Sequence, residues 1–255
     1  MLLSPLDFVA IATFLFGWIS YHVLVERSPF GRYALNNRMN EYRLRWMLEM
    51  QARDARIVDA SLMASLQSGT SFFASTSLLA LGGSLTLLRG ADDALRILSD
   101  LPLASTASRT LWDVKVVGLT LIFGYAFFKF AWSYRLFNYA SILIGATPAL
   151  KSSRPEQRRL TALRAAEMHI VAGRHFNRGQ RAFFFALAYL GWFVGPLILI
   201  ATTIVVVVAI LIRQFASDAL KAVSLELPLA ELGLADLGPE PQGAGSTAEI
   251  LPDKR

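Results

Sequence analysis

Two cationic side chains interrupt one of the most apolar stretches of this sequence. Lys129 and Arg135 lie within residues 119–148, which read LTLIFGYAFFKFAWSYRLFNYASILIGATP. A lysine or arginine at the centre of a membrane helix opposes insertion by about 2.5–3.5 kcal/mol, so it persists only where something offsets that cost. These two side chains could attract an anion, and they are the first candidates for a functional site.

Two explanations compete for Lys129. Its four-carbon stem can carry the ammonium to the cytoplasmic interface, which lies roughly 10 Å away at 1.5 Å per residue. Alternatively, the side chain faces the interior of a helix bundle and meets polar groups in a functional cavity. The polar residues at a similar depth in the other apolar stretches are Ser75, Thr76, Ser77, Ser20, His22 and Tyr189. The sequence leaves both explanations open.

Arg135 lies closer to the end of its apolar stretch and is interpreted as an anchor at the membrane interface. Its candidate acidic partners are Asp59, just before the second apolar stretch, and Glu26, at the end of the first. A hydrogen-bonded pair of Arg135 and Asp59 would fasten those two helices together, because a guanidinium and a carboxylate form strong charge-assisted hydrogen bonds.

The sequence lacks the residues that several kinds of chemistry require. The chain has no cysteine, which excludes disulfides, thiolate metal sites and cysteine nucleophiles. His22 could ligate haem, but the other histidines, His169 and His175, lie in a loop, so a hydrogen-bonded interfacial histidine is expected and no cofactor or metal is predicted. No phosphate loop, HExxH or GxSxG motif occurs, and no catalytic residue is predicted. An enzyme acting on lipid at the cytoplasmic interface stays as a weaker alternative.

The elements that must position these residues are membrane helices. The composition is 54% hydrophobic and 17% charged, where a soluble domain has about a quarter of charged residues. A spanning helix needs about 20 apolar residues. Four stretches qualify, at about residues 6–25, 70–88, 116–138 and 182–212. The sequence therefore predicts an all-α integral membrane protein: a bundle of four transmembrane helices formed by residues 1–213.

Basic residues predict the orientation of this bundle. The loop between the first two stretches has seven of them, and the loop between the last two has eight, whereas the middle loop has four that are balanced by aspartates. The positive-inside rule places the two basic loops in the cytoplasm. With four crossings, both termini are then predicted outside. The first stretch lacks a basic region before it and is interpreted as a retained helix rather than a signal peptide.

The two cytoplasmic loops are predicted to be helical. Residues 35–66 contain no Gly or Pro and are rich in good helix formers, and Pro155 suits the first turn of a second helix. The basic charge, which totals +6 for the chain, favours contact with anionic lipid or a partner membrane protein, including a second copy, over nucleic acid.

Residues 214–255 are rich in Pro, Gly and small residues and are expected to be mostly disordered. Gly195-Pro196 should kink the fourth span.

Several motifs, in order and spacing, are similar to a known family. They are RWM at residues 45–47, RIVD at 56–59, FFAST at 72–76, FFKF at 127–130, WSYR at 132–135 and FNRG at 176–179. With these motifs the chain, over about residues 6–213, resembles the family catalogued as domain of unknown function 599. The resemblance implies a multi-span membrane protein of bacteria, with plant relatives, so we expect a bacterial inner membrane. The resemblance adds no mechanism.

Two functional hypotheses follow from these features. The first is a non-enzymatic scaffold, assembly factor or accessory protein, which the missing chemistry and the basic helical loops favour. The second is a small oligomeric transporter or channel that uses Lys129 and Arg135 to attract an anionic solute. Whether Lys129 faces a protein-lined cavity or the lipid distinguishes the two.

Overall fold

The computed structural model describes residues 3–92 and 108–225, and within these ranges the chain is helical. The helices are α1 (Pro5–Glu26), α2 (Leu35–Met50), α3 (Ile57–Arg89), α4 (Arg109–Ala146), α5 (Pro155–Val194), α6 (Pro196–Phe215) and α7 (Asp218–Val223), with a short 3-10 helix at Pro29–Tyr33 between α1 and α2. The predicted tail falls partly outside this description, because residues 226–255 lie beyond it, whereas residues 218–223 are helical.

Four helical segments are long and apolar enough to cross a membrane. They are α1, α3, α4 and the segment Pro196–Val223. The predicted all-α membrane protein is therefore confirmed, and the two basic loops are helical. The first loop forms α2 and the first turns of α3, and the third loop forms the first half of α5.

Local sequence explains where several helices begin. Ser4 caps α1 in a reciprocal arrangement with Asp7, since the Ser4 hydroxyl accepts from the Asp7 amide and the Asp7 carboxylate accepts from the Ser4 amide. Ser108 caps α4 through the Leu111 amide at 3.3 Å. Prolines occupy the first turns of α1, α5 and α6, where their missing N–H has no helical partner to lose.

The long helix α4 packs between α3 and α5. Aromatic rings fill the contact: Phe130 of α4 stacks on Phe73 of α3 at 5.4 Å between ring centroids, and Phe176 of α5 meets both rings edge-on. Gly179 makes this approach possible, because a Cβ atom at that position would lie 2.8 Å from the Phe130 ring. α6 packs against α5 and α1 and completes the bundle.

Gly195 separates α5 from α6 and reverses the direction of the chain. Pro196 has no N–H to continue α5. Across the turn, the Thr202 hydroxyl donates to the Ala188 carbonyl at 2.8 Å, and the Arg213 guanidinium lies 5.6 Å from the Phe184 ring. These contacts pair residues on either side of Gly195 at increasing distance from the turn, so α6 runs antiparallel to α5. The predicted single kinked span at 182–212 is wrong: its two halves form a helical hairpin.

The hairpin places the two ends of the described chain at opposite ends of the bundle. Asp7, in the first turn of α1, accepts a hydrogen bond from Trp192 near the hairpin turn. Val223, after α6, accepts one from Tyr42 of α2 at the far end. The prediction that the chain begins and ends on the same side is therefore not met by residues 3–225, because the last segment of α5 adds a further antiparallel pass beside α1 and α6.

The helices α3 and α4 extend well beyond the depth of a bilayer core. At 1.5 Å per residue, the 38 residues of α4 span about 57 Å, whereas the core is about 30 Å thick. Their projecting ends are joined by polar contacts: Gln67 donates to Asn138 at 2.8 Å, and Arg56 donates to the carbonyls of Thr147 and Pro148 after α4. With α2 and the first half of α5 they form a helical unit, named here the cytoplasmic unit after the side on which the sequence predicts it to lie.

Candidate functional site

A pocket of about 610 Å³ opens between α1, α2, α5 and α6 where the bundle meets the cytoplasmic unit. Its wall is rich in arginine and side-chain amides, and its basic residues are Arg27, Arg174, Arg178, Arg181 and Arg213. Two carboxylates, Glu26 and Glu167, and the imidazole of His22 also line it. We name it the arginine pocket.

Glu26 is the centre of an ion-pair network in this pocket. Arg178 donates to Glu26 through Nε at 2.9 Å and through Nη2, while Arg181 donates to the other carboxylate oxygen at 2.5 Å. Arg181 is buried and its guanidinium also lies 5.3 Å from the Tyr21 ring. A two-oxygen, two-guanidinium arrangement of this kind fixes all three side chains in one geometry.

His22 completes the network from the preceding turn of α1. Its Nδ1 lies 3.1 Å from Glu26 and 3.5 Å from Arg181. The prediction of a hydrogen-bonded interfacial histidine fits this position. The predicted pairing of Glu26 with Arg135 is wrong, because Glu26 is bound by arginines of α5, which the sequence places more than 150 residues later.

Lys129 lies outside the residues that line the arginine pocket. It is half-buried, and its ammonium lies 5.1 Å from the ring of Tyr125, one turn earlier on the same helix. A cation over an aromatic face gains about 0.5–2 kcal/mol, which offsets part of the cost of placing lysine in the membrane. Part of that cost is therefore offset within α4 itself.

The other predicted partners of Lys129 lie elsewhere. Ser75 is exposed on α3, and Thr76 donates to the Phe72 carbonyl of its own helix at 2.8 Å. Tyr189 is buried between Phe14 and Trp192, with its hydroxyl against Gly118. The predicted grouping of these three residues around Lys129 is therefore not found, since each belongs to a different contact of the bundle.

Arg135 and Asp59 also have different partners. Arg135 is exposed and donates to the Tyr139 hydroxyl at 2.6 Å, one turn along α4. Asp59 is fully buried and accepts from Trp46 at 2.7 Å and from Arg53 at 2.9 Å. The predicted Arg135–Asp59 pair is wrong. Asp59 instead joins α3 to α2, and Arg135 faces outward from α4.

A second buried polar cluster, at the opposite end of the bundle, was not predicted. The Lys115 ammonium, 1% exposed, donates to the Trp192 carbonyl at 2.7 Å, and the Trp192 indole donates to Asp7 at 2.8 Å. The Trp192 carbonyl needs this partner, because Pro196 four residues later has no N–H to donate to it. In the sequence, Pro196 is therefore the feature that points to this cluster, whereas Lys115 resembles an ordinary loop residue.

Of the two loop histidines, His169 is buried in the cytoplasmic unit and His175 is half-buried. His169 packs edge-on against Trp46 and also contacts Phe137, and burial with the nearby Arg43 lowers its pKa to about 3. Burial and the charges of Lys129, Arg178 and Arg174 lower the pKa of His175 to about 4. Both rings are therefore neutral at pH 7. In residues 3–92 and 108–225, no group of three His, Asp or Glu side chains is arranged to hold a metal ion.

Comparison with known proteins gives a family and no characterised relative. No curated protein and no solved structure matches the chain. A family model described as "Protein of unknown function, DUF599" matches residues 9–219, which include every residue that lines the arginine pocket. The match covers most of the sequence and agrees with the resemblance carried by the FFKF, WSYR and FNRG motifs. The chain therefore belongs to the DUF599 family.

Proposed function

We propose that this protein is a non-enzymatic scaffold or accessory protein of the bacterial inner membrane, which holds a partner protein on its cytoplasmic unit. The observation that carries the proposal is an apolar surface on the projecting ends of α3 and α4. Ile57 is 79% exposed, Val58 64%, Leu62 48% and Ile142 64%. Clustered exposed apolar side chains on a protein surface mark interaction sites.

These side chains belong to the part of the helices that lies beyond the lipid. Ser84 of α3 lies 2.8 Å from Thr120 of α4, which sets the two helices in register. About 20 residues cross the core, so a crossing that begins at Lys115 ends near Arg135. Ile142, and Ile57 to Leu62 on α3, are then on the cytoplasmic side, where lipid tails do not cover them.

A groove runs between the two helices beside this surface. It encloses about 620 Å³ and combines apolar walls from Met63 and Ile142 with the polar side chains of Gln67, Asn138 and Ser141. An apolar floor with a few placed polar groups suits a helix of a partner protein. We name it the α3–α4 groove.

The carboxylates of the structure support a non-enzymatic protein. Asp7, Glu26 and Asp59 are each bound by an indole or by guanidinium groups that fasten one helix to another. An enzyme needs a base near a nucleophile, in a position to reach substrate. Carboxylates whose oxygens are bound by groups of a neighbouring helix do not offer that geometry.

The orientation that we propose has both basic loops in the cytoplasm and the Asp92 end outside. Because α6 runs back beside α5, Arg213 and Lys221 return to the basic side. Positive charge on the cytoplasmic side is the arrangement that membrane insertion favours. This places Val223 in the cytoplasm, whereas the start of α1 is outside.

Purification in a mild detergent, followed by mass spectrometry, tests the scaffold proposal. We expect one partner, either another protein or a second copy of the chain, to be recovered repeatedly with the wild type and lost from an Ile142→Asp variant. Leu160→Asp is the matched control, because Leu160 is also an exposed apolar residue of the cytoplasmic unit but lies outside the groove. Recovery of the monomer alone from the wild type would contradict the proposal.

The position of Lys129 favours a second candidate function, transport of an anionic solute by an oligomer. Lys129 is half-buried, and the charges of Arg178 and Glu26 in the arginine pocket act on its ammonium. The outward position of Arg135 weighs against a shared path for the two cations. Flux of an anion into liposomes that falls in Lys129→Met, but not in Arg159→Met, would support transport; unchanged flux in folded Lys129→Met would exclude it.

A further inference from the structure

We infer that the arginine pocket binds an anionic phosphate group. The inference goes beyond the scaffold proposal and does not depend on it, because the arginine pocket is formed by α1, α2, α5 and α6, whereas the proposed partner surface lies on α3 and α4.

The charges of the pocket are unequal. Five arginines line it against two carboxylates, and one of these, Glu26, is already shared by Arg178 and Arg181. The other, Glu167, is exposed. In the part of the chain that the structure describes, no carboxylate lies within 4.0 Å of the remaining three arginines, which are Arg27, Arg174 and Arg213. The pocket therefore presents three guanidinium groups whose charge is not neutralised by a neighbour.

Glu26 prepares the pocket for such a ligand. It holds the buried Arg181 and the half-buried Arg178 in fixed positions at the pocket wall. Pre-arranged donors bind an anion more tightly than mobile ones, because less side-chain freedom is lost on binding. Arg174 and Arg213 can then close on the same ligand from α5 and α6.

The polar groups around the arginines match phosphate in number and kind. A guanidinium presents a planar pair of N–H groups that fits two phosphate oxygens. Asn177 and Gln180 of α5 line the same pocket and add amide donors. A volume of about 610 Å³ exceeds what a single inorganic ion needs and accommodates a phosphorylated polar group of several carbon atoms.

The pocket also has an apolar side. It is lined by Tyr21 near the end of α1, by Phe184 of α5 and by Ile210 near the end of α6. An anionic lipid could therefore place its phosphate among the arginines and its acyl chains beside α1 and α6. A water-soluble phosphate compound offers the same recognition chemistry from the cytoplasm, and the two sources are separated by the choice of probe.

The test uses the full-length protein in mild detergent with two probes. Native mass spectrometry compares retention of phosphatidylglycerol with that of phosphatidylcholine, whose choline cancels the phosphate charge. Thermal melting compares inorganic phosphate with chloride at equal ionic strength. Both are repeated on Arg174→Gln/Arg213→Gln, since these two exposed residues form no ion pair in the described chain and their replacement should leave the fold intact. The control, Arg159→Gln/Arg164→Gln, removes the same charge from α5 outside the pocket.

We expect the wild type and the control variant to retain an anionic phosphate probe, and the pocket variant to bind it at least about tenfold more weakly. Selective retention of phosphatidylglycerol identifies a lipid headgroup as the ligand, and stabilisation by inorganic phosphate identifies a soluble one; either supports the inference. Binding of neither probe, or equal binding by all three proteins, would overturn it. Loss of the partner protein with phosphate binding intact would affect the scaffold proposal alone.

Discussion

At the scale of single residues, Lys115 and Glu26 show how this bundle holds charge away from water. Lys115 donates to a backbone carbonyl that a proline has left without its helical partner. Glu26 is enclosed by two guanidinium groups and an imidazole. Each charge is compensated by a group from α5, which explains why this helix, and not only α4, organises the polar interior.

The residue scale also shows what the sequence could and could not predict. A lysine inside an apolar stretch is unusual in any setting, so the sequence identifies Lys129 as a candidate. The pairing of Arg178 with Glu26 cannot be predicted from the sequence, because the two residues come from helices distant in the chain. Lys115 is not identified, because it lies at the apparent edge of a span, where a loop lysine and a buried lysine look alike.

Replacing Lys115 with Met should destabilise the protein. The variant leaves the buried Trp192 carbonyl without a donor and Asp7 without its nearest cation, and an unpaired buried acceptor costs about 1–3 kcal/mol. Thermal melting in detergent should show a lower Tm, while Lys221→Met, which removes an exposed lysine, should leave the Tm unchanged. An equal Tm for Lys115→Met and wild type would show that the Lys115 hydrogen bond is not structural.

His169 should make stability depend on pH. Its pKa is about 3 in the folded protein and about 6.5 when unfolded, so between these values the unfolded chain binds a proton that the folded chain excludes. Stability is therefore unaffected above pH 6.5 and falls as the pH decreases, by about 2 kcal/mol at pH 5. In His169→Phe, which keeps a ring against Trp46, the decline of Tm between pH 7 and pH 5 should be smaller. An unchanged decline would contradict this assignment.

At the scale of helices, hydrogen bonds between particular polar groups join the helices of the cytoplasmic unit. Arg56, just before α3, donates to three carbonyls at the end of α4, those of Ile144, Thr147 and Pro148. The carbonyls at a helix end lack partners within their own helix. Arg56 therefore fixes the start of α3 to the end of α4 beside the α3–α4 groove.

Replacing Arg56 with Gln should destabilise the contact between α3 and α4 by about 1–3 kcal/mol, because hydrogen bonds to charged groups are among the stronger ones in proteins. Arg135→Gln is the matched control on α4: its guanidinium reaches only the exposed Tyr139 and Trp132, so we expect a change within about 0.5 kcal/mol. Hydrogen exchange should show faster opening of residues 138–146 in Arg56→Gln alone. Equal exchange in both variants would contradict the role of Arg56.

The helices also show where sequence patterns stop being decisive. The apolar stretches located α1, α3 and α4 well, because length and hydropathy are sufficient for a span. The stretch at 182–212 is long and apolar and predicts one kinked helix, although its Gly-Pro is as compatible with a reversal of the chain as with a kink. Contacts between Thr202 and Ala188, which only the folded chain reveals, distinguish the two.

At the scale of the whole molecule, the bundle separates two regions. One end carries the cluster of Asp7, Lys115 and Trp192 and the turn between α5 and α6. The other end carries the arginine pocket, the α3–α4 groove and the buried His169. Composition predicted that the basic loops lie together on one side, but not that they form one folded unit with the projecting ends of α3 and α4.

Labelling of single cysteines tests this arrangement most directly, and the chain contains no cysteine of its own. Asp92→Cys and Ala222→Cys introduce exposed thiols at opposite ends of the bundle. In intact cells, a membrane-impermeant maleimide should label the cysteine at position 92 at once, and the one at 222 only after the inner membrane is permeabilised. Labelling of both from outside would mean that α5 and α6 do not cross the membrane as a hairpin, and would contradict the arrangement.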